Sequence, residues 1–142
     1  MEQVHIGEWI LLVDVPKTKS FYARMSYQNE SSPWLNYIEV SSFADEEVQA
    51  FFNLLGVDML KPSQLSYYSV EEGTRMMYTG SYYLYGEQLA GELDGWDMVI
   101  GDFCFSLTQE MEAVPEEMTG KIVEISFEAV LPWMLALPIS SR

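Results

Sequence analysis

Histidine and cysteine are almost absent: the 142 residues include one of each, His5 and Cys104. That excludes the usual zinc spacings, which need several Cys or His at short intervals. A Ser–His–Asp or Cys–His nucleophile would depend on a single imidazole close to a chain end, where fraying is common. Basic residues are also few, seven Lys and Arg against 22 Asp and Glu, so the net charge is −15 and the pI about 4.1. Nucleic acid is thereby disfavoured as a direct partner, because phosphate binding rests on a Lys/Arg footprint. An anionic membrane surface is disfavoured for the same reason. There is no Gly-x-x-x-x-Gly-Lys-Ser/Thr loop and no Gly-x-Gly-x-x-Gly turn to cradle phosphate. Long apolar runs are missing as well, and none approaches the roughly 18 residues of a membrane span. The run Ile10–Val13 is too short for a signal-peptide core, and Met-Glu-Gln-Val-His has no basic n-region. One cysteine makes no internal disulfide, and nine methionines would be oxidisable outside the cell. The expected compartment is the cytoplasm.

Apolar residues make up 49% of the chain and aromatics 14%, too many for a disordered acidic tail. The length fits one domain, 1–142, burying roughly 68% of its extended-chain surface. Strand signals dominate. Glu8–Val15 is apolar and β-branched, Pro16-Lys17-Thr18-Lys19 reads as a turn, and Phe21–Gln28 alternates as a second strand. Trp34–Val40 is a third strand candidate after the Asn29–Pro33 loop. One principal helix is expected at about residues 43–55. Ser42 is its cap, Asp45, Glu46 and Glu47 favour its positive end, and Val48, Phe51, Phe52 and Leu55 form its apolar face before Gly56. A second short helix is expected near Val57–Leu65, broken by Pro62.

Leu65–Glu71 and Thr74–Tyr85 read as a hairpin about Glu71-Glu72-Gly73. Gly86–Gly95 reads as a loop, Trp96–Ile100 and Phe103–Leu107 as two short strands, and Thr108–Ala113 as a helical turn. Lys121–Ala129 is a clear alternating strand, and Val130–Ile139 an extended segment laid on the core. The class is α+β: a mainly antiparallel sheet with the principal helix packed on one face.

The search for chemistry returns no catalytic residue, metal or cofactor, so the chain is read as a non-enzyme. Cys104, between Phe103 and Phe105, is expected to be a buried and inert thiol. Glu92-Leu93-Asp94-Gly95-Trp96-Asp97 departs from the calcium-loop pattern. Asp94 and Asp97 beside Trp96 resemble the paired acids of a glycosidase no more than any acidic, aromatic chain would.

The distribution of charge is more informative. Residues 1–86 hold 11 acids and 5 bases, whereas residues 87–142 hold 11 acids and 2 bases, a net of −9. The acids Glu92, Asp94, Asp97 and Asp102, then Glu110, Glu112, Glu116 and Glu117, fall largely in loops, where binding residues concentrate. Six of nine tyrosines fall between Tyr67 and Tyr85. Alternation puts Tyr83 and Tyr85 on one face and Tyr78 and Tyr82 on the other, one set filling the core and the other near the surface. The expectation is a binding domain of immunity or inhibitor type for a basic protein, such as a nuclease toxin. Its surface would comprise these acids with Trp96, Tyr78 and Tyr82. The alternatives are a small-ligand or carbohydrate domain using Trp96, Trp34 and the tyrosines, and a structural subunit whose acidity serves solubility.

Overall fold

A computed structural model of the protein describes residues 1–26, 31–108 and 114–136. Seven strands form one antiparallel sheet with three ten-residue helices, an α+β architecture in which the second and third helices pack on one face while the first lies along the edge of the longest strand. Strands β1 (Glu2–Ile6) and β2 (Trp9–Val13) form the first hairpin. Helices α1 (Val15–Arg24), α2 (Ser32–Ser41) and α3 (Glu46–Leu55) follow. Then come β3 (Gln64–Val70), β4 (Arg75–Ala90), β5 (Met98–Ile100), β6 (Phe103–Thr108) and β7 (Ile122–Pro132). The spatial order is β1-β2-β4-β7-β6-β5, with β3 also on β4.

The 16-residue β4 organises the sheet. β7 lies along one side of it, from Arg75 to Tyr85, while the other side is shared. β3 takes Arg75–Ser81 and β2 takes Gly86–Ala90. Helix α1 fills the gap. The Tyr22 hydroxyl donates to the Tyr83 carbonyl at 2.7 Å and accepts from the Tyr83 N–H at 3.2 Å. The Thr18 hydroxyl accepts from the Tyr85 N–H at 3.1 Å, and the Asp14 N–H donates to the Tyr85 carbonyl at 2.9 Å. Side chains of a helix thus take over where a strand would have paired, leaving no buried backbone group in the gap unsatisfied. Two glycines bracket the gap. A Cβ at Gly80 would overlap the Gln64 carbonyl, and one at Gly86 the Leu12 carbonyl.

Beneath the helices, an aromatic core runs from Tyr37 to Phe105. Tyr37 stacks on Phe127 at 5.4 Å, and Phe51 stacks on Phe105 at 4.2 Å. Helix α3 presents Val48, Phe51, Phe52 and Leu55 as the sequence pattern requires. Gly56 ends it at φ 75°.

Several expectations give way. Residues 16–19 are not a turn, nor Phe21–Arg24 a strand; both belong to α1. The Asp14 carboxylate caps the Lys17 N–H at 3.1 Å, Pro16 sits in the first turn, and Thr18, Phe21 and Tyr22 form the buried stripe. The apparent alternation of Phe21, Ala23 and Met25 yields to this capped start. Trp34–Val40 is α2 rather than a strand, entered through Pro33. Helix α3 starts at Glu46 rather than about residue 43, and the Ser42 hydroxyl donates to the Ile38 carbonyl at the end of α2 instead of capping α3. No helix forms over residues 57–63, and β3 begins at Gln64. Gly86–Ala90 is strand, not loop, because β2 pairs with it. β1 adds an edge strand that the sequence pattern does not mark, and His5 stands exposed on it. The hairpin about Glu71–Gly73, the β5–β6 hairpin and the alternation of β7 match the sequence reading. β7 runs on to Pro132 and Trp133 packs on the core. The helical turn expected at Thr108–Ala113 lies almost wholly outside the described residues, as does the tail beyond residue 136.

Candidate functional site

Side-chain alternation gives the sheet a second face, turned away from α2 and α3 and touched by α1 at Tyr85. Three rows of register partners cross it. Tyr83 stands beside Glu124 and Thr108, Ser81 beside Ser126 and Ser106, and Thr79 beside Glu128 and Cys104. β3 extends the last two rows with Gln64 and Ser66. This outer face is polar where the inner one is aromatic.

The first row is tightly bonded. The Tyr83 hydroxyl donates to Glu124 Oε1 at 2.9 Å, and the Ser126 hydroxyl to Glu124 Oε2 at 3.1 Å. Thr108 in turn donates to Ser126 Oγ at 2.6 Å. Glu124 is therefore a buried carboxyl group with a hydroxyl on each oxygen, the condition under which burying a polar group is tolerated. The sequence does not single out Glu124, because the alternation of β7 marks only its face and not what covers it.

Further along, the face opens. Glu128, Cys104 and Thr79 are half-buried, while Ser66 and Tyr68 are exposed. Residues 92–97 border it as a strap along β6. Leu93 bridges Leu107, and the Asp94 N–H donates to the Leu107 carbonyl at 2.7 Å. The Trp96 N–H reaches Ser106 Oγ at 3.4 Å, and Cys104 Sγ donates to the Trp96 carbonyl at 3.1 Å. Asp94 and Trp96 both adopt left-handed backbone, φ 56° and 54°. For a bulky tryptophan this conformation is an outlier, held by surrounding bonds at a cost of order 1–3 kcal/mol. The strap so fixed turns Glu92, Asp94, Trp96 and Asp97 outward, all exposed.

Cys104 lies between two of the acids. Burial first, then the Glu128 carboxylate, then Asp97 push its thiol pKa up, so it is a poor nucleophile. It is half-buried rather than buried. Beside it a groove of about 500 Å³ runs over Met77 and Val130, with Glu71, Asp102 and Glu128 among its lining acids and Arg75 among its bases.

The remaining candidates disperse. Asp102, exposed on the β5–β6 turn, stays at that groove and also lies close to Asp45 at the start of α3. Glu116 and Glu117 are exposed elsewhere: Glu117 lines a cavity of about 340 Å³ with Phe21, Arg24 and Met25 of the α1 end. Glu110 and Glu112 lie outside the described residues. Tyr78 and Tyr82, expected at a partner surface, are corrected to core positions, both 0% exposed. Tyr78 donates to the Pro33 carbonyl at 2.6 Å and accepts from Asn36; Tyr82 donates to the Met59 carbonyl at 2.6 Å and meets the Tyr37 hydroxyl. Tyr83 and Tyr85 are buried on the opposite face, so neither set lies at the surface. Trp34 is buried in α2 and cannot join Trp96 in stacking on a sugar.

His5 hydrogen-bonds Gln3 at 3.2 Å, a pairing with no nucleophile in it. Among the described residues, no three His, Cys, Asp or Glu side chains converge as metal ligands would. No described helix is long and apolar enough to cross a membrane. Compared with protein-family models, curated proteins and solved structures, the chain matches none.

Proposed function

We propose that the protein is a binding domain of immunity or inhibitor type that neutralises a basic protein, such as a nuclease toxin, through the open part of its outer sheet face. The observation that carries this reading is the convergence of Asp97 and Glu128 on Cys104. Glu128 is the register partner of Cys104 on β7, and Asp97 follows Trp96, whose carbonyl accepts from the Cys104 thiol, so two acids far apart in sequence flank one open part of the sheet. Exposed Trp96 and Tyr68 border the same surface and supply aromatic area that interfaces favour. Glu92 and Asp94 extend its negative rim. A cationic partner is steered to such a surface, and its on-rate falls as salt screens the field.

The test starts from a basic partner identified by co-purification at low salt. Asp97→Lys with Glu128→Lys should weaken its binding by about tenfold or more, mostly through on-rate, since each like-charge contact opposes association. Glu116→Lys with Glu117→Lys, placed by the α1 end, should leave binding within about twofold, in keeping with the weak effect of distant, screened charge. Binding indifferent to the first pair, or lost equally with the second, overturns this assignment.

A further inference from the structure

Among the edge strands, β3 is the unguarded one. β1 carries Glu2, and β5 has three residues between Asp97 and Asp102. The seven residues of β3, Gln-Leu-Ser-Tyr-Tyr-Ser-Val, include no charge, no proline and no glycine. They pair with β4 residue for residue, from Gln64↔Ser81 to Val70↔Arg75, without a bulge. No described strand pairs with the other side of β3. Tyr68 is 62% exposed, and Gln64, Ser66 and Ser69 are exposed too. Edge strands are ordinarily blunted by lysine, proline, a bulge or a covering segment, because their free N–H and C=O groups template another strand. None of the first three is present here.

We propose that β3 is a self-association surface, where a second copy of the chain adds its own β3 in antiparallel register. Centring the pair on Tyr67 engages all seven residues, Gln64 of one copy opposite Val70 of the other. A two-fold axis there, perpendicular to the sheet, keeps both helix layers on the same side and makes the contact self-complementary. Charge selects a copy over a basic strand. β3 has no carboxylate to attract a cation, whereas a chain of net charge −15 meets its like most easily across an uncharged contact. The carboxylates around that contact still repel at low salt, so association strengthens as the screening length falls to about 3 Å near 1 M salt. The acidic face behaves oppositely, losing a basic partner as salt rises, so this inference and the proposed function fail separately.

Sedimentation equilibrium of the full chain, across a concentration series at low and at about 1 M NaCl, reads the outcome. The expected result is twice the 16.3 kDa chain mass at high salt, with less dimer at low salt. Ser66→Lys with Tyr68→Lys, both exposed, should return the monomer with an unchanged circular dichroism spectrum. Leu54→Lys, exposed on α3, should leave the dimer intact. Should the double variant not fold, hydrogen exchange of the unsubstituted chain decides: β3 amides must gain protection as concentration rises. A monomer at every concentration and salt overturns the inference. So does a dimer that dissociates with salt, survives the β3 lysines in a folded variant, or is lost with Leu54→Lys.

Discussion

Tyr22 and Thr18 are side chains that do the work of a missing strand, and removing their hydroxyls exposes what that work contributes. Tyr22→Phe leaves the Tyr83 N–H and carbonyl without the partner they have in a site where Tyr83 is 0% exposed. The expected loss is about 1–3 kcal/mol, the desolvation penalty of stranded polar groups, read as a lower urea midpoint with an unchanged slope. A variant as stable as the parent would mean that water reaches the gap. Buried tyrosines also set the alkaline limit of the fold. Burial raises the pKa of Tyr22, Tyr37 and Tyr82 well above the usual 10, and pushes Tyr78 up to about 12. Above pH 10 the unfolded chain loses protons that the folded chain keeps. The stability these groups supply is therefore full below pH 10 and falls as pH rises towards 12 and beyond, by up to about 1.4 kcal/mol per pH unit for each tyrosine. Tyrosinate absorbance should appear together with loss of near-ultraviolet dichroism in one cooperative step. Titration of these tyrosines while the fold persists would contradict this.

At the scale of elements, α1 and α3 meet at Gly56. A Cβ there would stand 2.8 Å from the Val15 carbonyl, and the residue already holds φ 75°. Gly56→Ala should therefore cost of order 1–3 kcal/mol, and the α1 amides should lose exchange protection first. Equal loss of protection across the sheet would place the strain elsewhere. Helices α1 and α2, whose sequences alternate like strands, show why local alternation misleads. Trp34, Tyr37, Ile38 and Val40 suit a strand by type, but Pro33 starts a helix, and Asn36 makes three hydrogen bonds from that helix. Its side chain donates to the Tyr78 hydroxyl and the Pro132 carbonyl, both at 3.1 Å, and accepts from the Met134 N–H at 2.7 Å. Helix α3 was legible because its acidic first turn, apolar stripe and terminal glycine agree with one another.

Over the whole molecule, a net charge of −15 is spread on 7712 Å² of surface, and repulsion works against the compact state. Added salt should raise the thermal midpoint until the screening length falls to a few Å, about 3 Å near 1 M. A midpoint that falls with NaCl would show that ion pairs outweigh repulsion. Among the described residues, the ion pairs Lys121–Glu87 at 3.1 Å and Arg75–Glu71 at 3.7 Å are partly exposed, and such pairs contribute little. Acidity in the second half of the chain did not become one patch. Glu117 lies at the α1 end, whereas Asp102 lines both a cavity at the α3 start and the groove beside Cys104 and Glu128, because strand order and not chain order decides neighbours.

The sequence by itself determined the α+β class, the principal helix, the β3–β4 and β5–β6 hairpins and the acidic excess. Each of these follows from period, capping, turn residues or composition, which are local. Tertiary structure alone decided that Tyr78, Tyr82, Tyr83 and Tyr85 are all buried and that α1 replaces a strand beside β4. It also decided that Glu128 and Asp97 share one face while Glu117 leaves it. Those outcomes depend on which elements become neighbours, and the residues that bring them together, such as Tyr22 and Tyr83, lie 61 positions apart.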